Sequence, residues 1–234
     1  MKIYKRNLII YNTVLYVILS FVYLHVCFSL DADISALNLD RFIGLVAGLP
    51  LLLVIAGLTI LSVLLVNSSS TIVLSIFSLF IFYKTFSIFL ITYDKFQLVL
   101  NFIYLITSFN IIILMRDELS KALYSQNYIE GALDVGAYKK MRIKLTQNGK
   151  EIEGAITNFD EEGFVVKPCQ NLEILRGRLE FLIIFEGNTF AGIGEIVTVF
   201  KESVGIQVLK RADSSSKLGW EELYSIIFKR NYSV

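Results

Sequence analysis

The 234-residue chain has one histidine, two cysteines, two prolines and one tryptophan, and only 18% of its residues are charged. These shortages exclude several chemistries. The histidine, His25, lies in the first apolar run, so no Ser–His or Cys–His pair can form within the polar second half. Cys27 falls in an apolar run and Cys169 in the polar half, a pair that offers neither a disulfide framework nor metal-ligand spacing. No charge of one sign dominates, since the net charge is +1 and residues 116–234 carry 16 Lys plus Arg against 17 Asp plus Glu. A dedicated nucleic-acid binder shows a basic surplus, so a nucleic-acid polymer is not an expected partner.

What is abundant is apolar surface, at 55% of residues. Soluble domains run under about one-half apolar and about one-quarter charged. The surplus is uneven, because residues 1–115 hold 10 charged side chains and residues 116–234 hold 33. That asymmetry excludes both a single soluble domain and a purely membranous chain.

Four stretches are long enough to cross about 30 Å of hydrocarbon, which takes roughly 20 helical residues. They are Leu8–Leu30, Phe42–Val66, Thr71–Tyr93 and Leu98–Met115. Lys2, Lys5 and Arg6 precede the first, the loop after it carries Asp31, Asp33 and Asp40 against Arg41, and Arg116 and Lys121 follow the fourth. Basic residues stay on the cytoplasmic side, which puts both termini inside and the acidic first loop outside. The first run exceeds a signal-peptide core and no Ala-x-Ala site follows it, so it reads as an uncleaved anchor.

Gly44 and Gly48, four apart, have the spacing that lets helix backbones approach closely, within the bundle or between copies. Lys84 lies inside the third span, where a charge costs roughly 2.5–3.5 kcal/mol on insertion scales. An intramembrane charge marks a functional site by default. No Asp or Glu lies within any span to complete a proton relay, and Asn101, Thr107, Ser108 and Asn110 are available to hydrogen-bond Lys84 or one another. A transport role therefore stands beside helix–helix bonding or partner contact.

Arg116–Glu130 has no Gly or Pro, so the fourth helix is expected to continue past the membrane, with Leu119, Ala122, Leu123 and Gln126 on one side and Gly131 as its stop. From Met141 the period changes to two-residue alternation. Asn148-Gly149 is a strong hairpin signal. Asp160–Gly163 and Gly187-Asn188 mark further turns, and six strands in all suggest a small antiparallel barrel or sandwich. Gly192 and Gly194 allow sharp strand curvature. After Ser214–Ser216, Trp220, Leu223, Tyr224 and Ile227 recur at i, i+3, i+4 and i+7, an amphipathic helix suited to covering the barrel. The expected domains are a four-span membrane region 1–115, a helical connector 116–138 and a β-barrel domain 139–234.

The order of a hairpin, curved strands ending in Gly205-Ile206-Gln207-Val208-Leu209 and a terminal helix resembles the PilZ domain over about residues 139–230. The stretch from Ile156 to Phe164 looks like that family's second ligand motif, an Asp or Asn, any residue, Ser, two more, and Gly. Asn158 and Gly163 match it, and Asp160 stands where the family has Ser. The resemblance implies a small cytoplasmic β-barrel with a C-terminal helix, and cyclic di-GMP as ligand. The family's other motif, two arginines four apart on the arm before the first strand, has no counterpart in 129–140. Lys139 and Lys140 supply charge there and Arg142 follows, but a lysine lacks the planar fork that bonds a guanine edge. Asp160, Glu161 and Glu162 set three negative charges beside the place of two phosphates, each repulsion costing about 1 kcal/mol at 4 Å even in water.

The expected function is accordingly a non-enzymatic, multi-pass protein of a bacterial inner membrane. Its cytoplasmic PilZ-like module acts as adaptor or receptor for a membrane-bound machine of the motility or exopolysaccharide type, or associates with further copies. Cyclic di-GMP binding is weakened or lost, and no other cofactor or metal is expected. A receptor with a divergent motif, a membrane scaffold similar to the NfeD type, and a transport-related protein are the alternatives. No phosphate loop or recognisable carboxylate dyad supports an enzyme, and Glu161-Glu162 and Glu221-Glu222 read as solvated charge.

Overall fold

The structure is a computed structural model that describes residues 2–32, 34–124, 141–169, 177–211 and 218–231. The chain divides into two compact units, Asn7–Leu119 and Met1–Arg6 joined with Ser120–Val234.

The first unit is helical: α1 Leu8–Asp31, α2 Leu39–Ala47, α3 Pro50–Leu64, α4 Ser70–Thr92 and α5 Lys95–Leu119. Of these, α1, α4 and α5 are each long and apolar enough to cross a membrane. Their faces are inverted relative to a helix in water. The buried side of α5 carries Gln97, Asn101, Tyr104 and Ser108, while ten large apolar side chains, Phe102 and Phe109 among them, face outward. Leaving one such side chain in water forfeits about 1.5–3 kcal/mol of burial. Hydrocarbon imposes no such loss and instead requires polar groups to turn inward and bond one another.

Those inward groups fix the helix directions. Tyr16 of α1 meets Ser78 of α4, and seven residues on Tyr23 meets Thr85, so α1 and α4 run parallel. Tyr16 also meets Ser108 and Tyr23 meets Asn101, so α5 runs antiparallel to α1. Asn7, at the start of α1, donates to Glu118 at the end of α5 (3.0 Å).

The second expected span, Phe42–Val66, is not one helix. It breaks into α2 and α3 with a bend of 86°. Pro50, the first residue of α3, has no N–H, and its ring keeps Leu49 out of the helical region, at φ −121° and ψ 60°. The expected prolongation Arg116–Glu130 also differs, because α5 ends at Leu119 and residues 120–124 turn. Ala122 and Leu123 are instead buried within the second unit, their backbone groups taken by barrel side chains. The remainder of that stretch, with Gln126 and Gly131, lies outside the described residues.

The second unit is a closed six-stranded antiparallel barrel with a helix against it. Its strands are β2 Arg142–Gln147, β3 Lys150–Phe159, β4 Gly163–Pro168, β5 Arg178–Phe185, β6 Asn188–Val199 and β7 Val204–Arg211. The order is β6-β5-β2-β3-β4-β7, and β6 pairs with β7 to close the ring. The alternation read from the sequence holds: Ile143 and Leu145 on β2 and Leu179, Phe181, Ile183 and Phe185 on β5 all enter the core. Asn148 and Gly149 both have positive φ, 52° and 75°, as their hairpin requires. The β5–β6 turn is centred one residue earlier than expected, on Glu186-Gly187 at φ 47° and 81°, because Asn188 already pairs with Phe185. The β6–β7 ladder is bulged twice, with Leu209 the extra residue on β7 opposite Ile193/Gly194 and Val197 the extra residue on β6 between Ile196 and Thr198, and β6 pairs with β5 early and β7 late.

The closing helix, α6, is Trp220–Asn231. Its expected stripe, Trp220, Leu223 and Ile227, is buried in the barrel core. The Trp220 ring lies 4.9 Å from Phe164 and edge-on to Phe159 at 5.9 Å.

A two-residue strand, β1 Lys2–Ile3, completes the sheet by pairing with Val199 and Thr198 of β6. Tyr4 N–H adds a bond to the Val197 carbonyl (2.8 Å), and Lys5 pairs with Glu195. Strand β5 leaves β6 after Glu195, so these residues cover an edge that would otherwise be bare.

Trp220 is the sole tryptophan, which makes its fluorescence a reporter of this barrel. Leu223→Ala should lower barrel stability by about 2–5 kcal/mol, the usual range for a fully buried leucine. The measurement is the denaturant midpoint of Trp220 emission in the full-length protein, and the folded-state emission maximum should stay near the wild-type value.

Candidate functional site: the turn between β3 and β4

The turn after β3 carries the residues that resemble a ligand motif. A bulge between Ile156 and Asn158 re-aims the strand just before it. Asn158 and Asp160 are both buried, at 2% and 7% exposure. The turn closes by Asp160 N–H to the Gly163 carbonyl (2.9 Å). Asp160 Oδ1 accepts from the N–H groups of Glu162 (2.8 Å) and Gly163 (2.9 Å), an Asx-type turn made by the side chain. Its Oδ2 accepts from Ala122 N–H (2.8 Å), a residue 38 positions earlier.

The rest of the turn is engaged as well. The Glu161 carbonyl accepts from Trp220 Nε1 (3.0 Å), and the Glu162 carbonyl accepts from Val208 N–H (2.9 Å). Lys121 Nζ lies 2.6 Å from Glu162 Oε1. That pair is partly exposed, so it contributes at most about 1 kcal/mol. One turn therefore ties together the segment after α5, strand β7 and helix α6.

The segment itself, residues 120–124, is a strap seated on a seam of the barrel. Thr198 Oγ1 donates to the Leu123 carbonyl (2.6 Å), and both Ala122 and Leu123 are buried. Two glycines make the close approach possible. A Cβ on Gly163 would run into the Ile206 carbonyl and the Leu123 side chain, and one on Gly205 into the Thr198 hydroxyl and the Leu123 carbonyl.

Burial is the main influence on the Asp160 carboxyl and pushes its pKa above the ordinary 3.8. The three backbone N–H bonds from Ala122, Glu162 and Gly163 pull the other way, and the neighbouring Glu162 charge adds slightly to the rise. An anion approaching this turn meets Asp160, Glu161 and Glu162 together, and Asp160 has both oxygens already bonded.

The other expected residues are dispersed. Arg142 lies exposed on β2 opposite Ala155, while Lys139 and Lys140 are outside the described residues. Asn101 Oδ1 accepts from Tyr23 and Thr85 and its Nδ2 donates to the Gln97 carbonyl, so Lys84 does not share it. Lys84 Nζ instead sits 5.8 Å from the Phe80 ring. Thr107 and Asn110 each donate to a carbonyl of their own helix. Nothing lies within 4 Å of where a Gly44 Cβ would be, and a Gly48 Cβ would meet only carbonyls of its own chain. Gly44 lies within α2 and Gly48 is its C-terminal cap.

Two features went unread in the sequence. The strap left a trace only in Gly163 and Gly205. The polar row Thr13, Tyr16, Ser20, Tyr23 on α1 left a plain one, the alternating three- and four-residue spacing of a packed seam. Among the described residues, no group of His, Cys, Asp or Glu is placed to hold a metal ion. A scan against protein-family models finds no match, and a search of curated proteins finds none either.

Replacing Asp160 separates its two tasks. Asp160→Asn keeps the Oδ1 bonds but presents an amide to Ala122 N–H, while Asp160→Ala removes both. Losses of about 1–3 kcal/mol are expected for Asn and a larger loss for Ala, read by Trp220 emission in denaturant. The pH dependence carries a sign. Because the folded pKa is raised, this group's contribution is fully present below 3.8 and is lost as pH rises through the folded value. The wild-type minus Asp160→Asn stability difference should therefore fall with rising pH across that window.

Proposed function

We propose that the protein is a non-enzymatic, multi-pass membrane protein whose barrel is an adaptor module for a membrane-bound complex, with cyclic di-GMP binding weakened or lost. The observation that carries this reading is the complete engagement of the Asp160–Gly163 turn. The position that resembles a ligand motif is spent on holding residues 120–124, and its three carboxylates repel an anion. What remains is a rigid module whose chain leads directly into membrane helices, the construction expected of an adaptor. Six barrel strands and the closing helix support the PilZ-like assignment over a five-stranded OB barrel of the NfeD kind.

Four crossings are part of the proposal. The parallel directions of α1 and α4 support this, since a chain that crosses twice in the same direction returns between, and α2 with α3 lies between them in sequence. An even number of crossings agrees with β1 and β2–β7 sharing one sheet, since the chain then enters α1 and leaves α5 on the same side. The basic flanks Lys2, Lys5, Arg6, Arg116 and Lys121 support reading that side as the cytoplasmic face, here of a bacterial inner membrane.

Calorimetric titration of the full-length protein in detergent with cyclic di-GMP tests the ligand clause, and flat heats are expected. Saturable binding at micromolar concentration, abolished by Asp160→Ala, would return the receptor reading. Co-purification of a defined membrane complex, weakened when Leu223→Ala destabilises the barrel, is the positive result for an adaptor.

A further inference from the structure

We infer that α2 is a lipid-contacting helix that lies flat in the bilayer interface, with Leu39 and Ile43 dipped into the acyl boundary. The inference rests on the four-crossing reading and adds a binding surface to it.

On α2, Leu39, Phe42, Ile43 and Val46 share one side, and Asp40, Arg41 and Gly44 share the other. Such segregation in a helix of only nine residues describes an element lying along a surface rather than through it. No residue of α2 is buried. On its apolar side Phe42 and Val46 are partly covered, Phe42 edge-on to His25 at 5.3 Å, while Leu39 and Ile43 are 70% and 57% exposed. Leu37, just ahead of the helix, is 92% exposed.

The bend supplies the geometry. An axis 86° from that of α3 lies nearly in the membrane plane if α3 stands across it. Asn38 makes the start a true helix end, its Oδ1 accepting from Arg41 N–H (3.2 Å), and Pro50 makes the far end a fixed corner. The length of α3 agrees. Its 15 residues rise about 22 Å against a hydrocarbon thickness of about 30 Å. A crossing that short draws the two interfaces together locally, and an amphipathic helix at its end would sit in the depressed leaflet.

Charge identifies the part of the lipid engaged. Asp40 and Arg41 cancel on the outward side and Asp31 lies just before, so no basic patch attracts anionic headgroups. The attraction is apolar, to the acyl boundary.

The test uses the full-length protein in phosphatidylcholine vesicles. Cys27 is buried and Cys169 exposed, so Cys169→Ser gives a quiet background for single cysteines carrying an environment-sensitive fluorophore. A probe at Ile43→Cys should be quenched about twofold better by a nitroxide near the headgroup than by one at the chain end, consistent with a depth of roughly 5–10 Å. A probe at Asp40→Cys should be quenched mainly by aqueous iodide, and one at Leu58→Cys by the deep nitroxide. Equal iodide quenching at Ile43→Cys and Asp40→Cys would overturn the inference, as would deep-nitroxide quenching at Ile43→Cys. The crossing number is read separately, with an impermeant maleimide on Ser68→Cys. Labelling from the side that labels native Cys169 keeps four crossings, and labelling from the other side removes them.

Discussion

A carboxylate taken out of water has to fill its lone pairs from the protein, and Asp160 fills its own from three backbone N–H groups on two distant stretches of chain. Two of those donors shape the β3–β4 turn. The third, on Ala122, ends any continuation of α5 by taking a group that an extended helix would bond internally. Burial thus makes the Ala122 bond count, since an unpaired Oδ2 would carry a desolvation cost of about 1–3 kcal/mol, and burial of Ala122 and Leu123 adds to the ordering of the strap. Trp220 and Val208 use the backbone carbonyls of the same turn, so barrel closure, helix docking and strap placement share one small set of atoms.

The helical unit answers to the same rule in a different solvent. Without water, hydroxyl and amide groups of the helices find partners only among themselves. The Tyr16–Ser78–Ser108 and Tyr23–Thr85–Asn101 clusters do this seven residues apart on each helix. Two such knots fix helix direction and register more firmly than lipid-like side chains can, since Leu against Leu is no better than Leu against an acyl chain. Tyr104 links the levels, its ring stacked 4.4 Å from Tyr23 and its hydroxyl directed to Ser20.

The parts of this architecture that were legible are those whose signal is periodic and local. The two-residue alternation through Ile143–Leu145 and Leu179–Phe185, the Asn148-Gly149 hairpin and the Trp220–Leu223–Ile227 stripe each state their burial within a few positions. Hydropathy summed over twenty residues located the apolar stretches but averaged away the break at Gly48-Leu49-Pro50, where a single missing N–H decides the outcome. Lys2-Ile3 is too short to show a period and becomes a strand only because β5 leaves β6 after Glu195. For the turn, the sequence marked Asp160–Gly163 as a chain reversal, which it is, but not what the Asp160 side chain holds. Ala122 and Asp160 are 38 residues apart, and no local pattern encodes that pairing.

Thr198 shows why the strap and the amino-terminal strand belong to one device. It is fully buried, opposite Ile3 of β1 on one side of β6 and Gly205 of β7 on the other, while its hydroxyl donates to the Leu123 carbonyl. The stretch that leads into α1 and the stretch that leaves α5 therefore meet at one residue, on a strand held by the whole barrel. One side chain thereby orders two stretches that are distant in sequence, because the backbone of Thr198 is taken by the strand ladder while its hydroxyl is left for the strap. A buried hydroxyl without that carbonyl would carry the cost of an unmade hydrogen bond, so the position of Leu123 is tied to the register of β6.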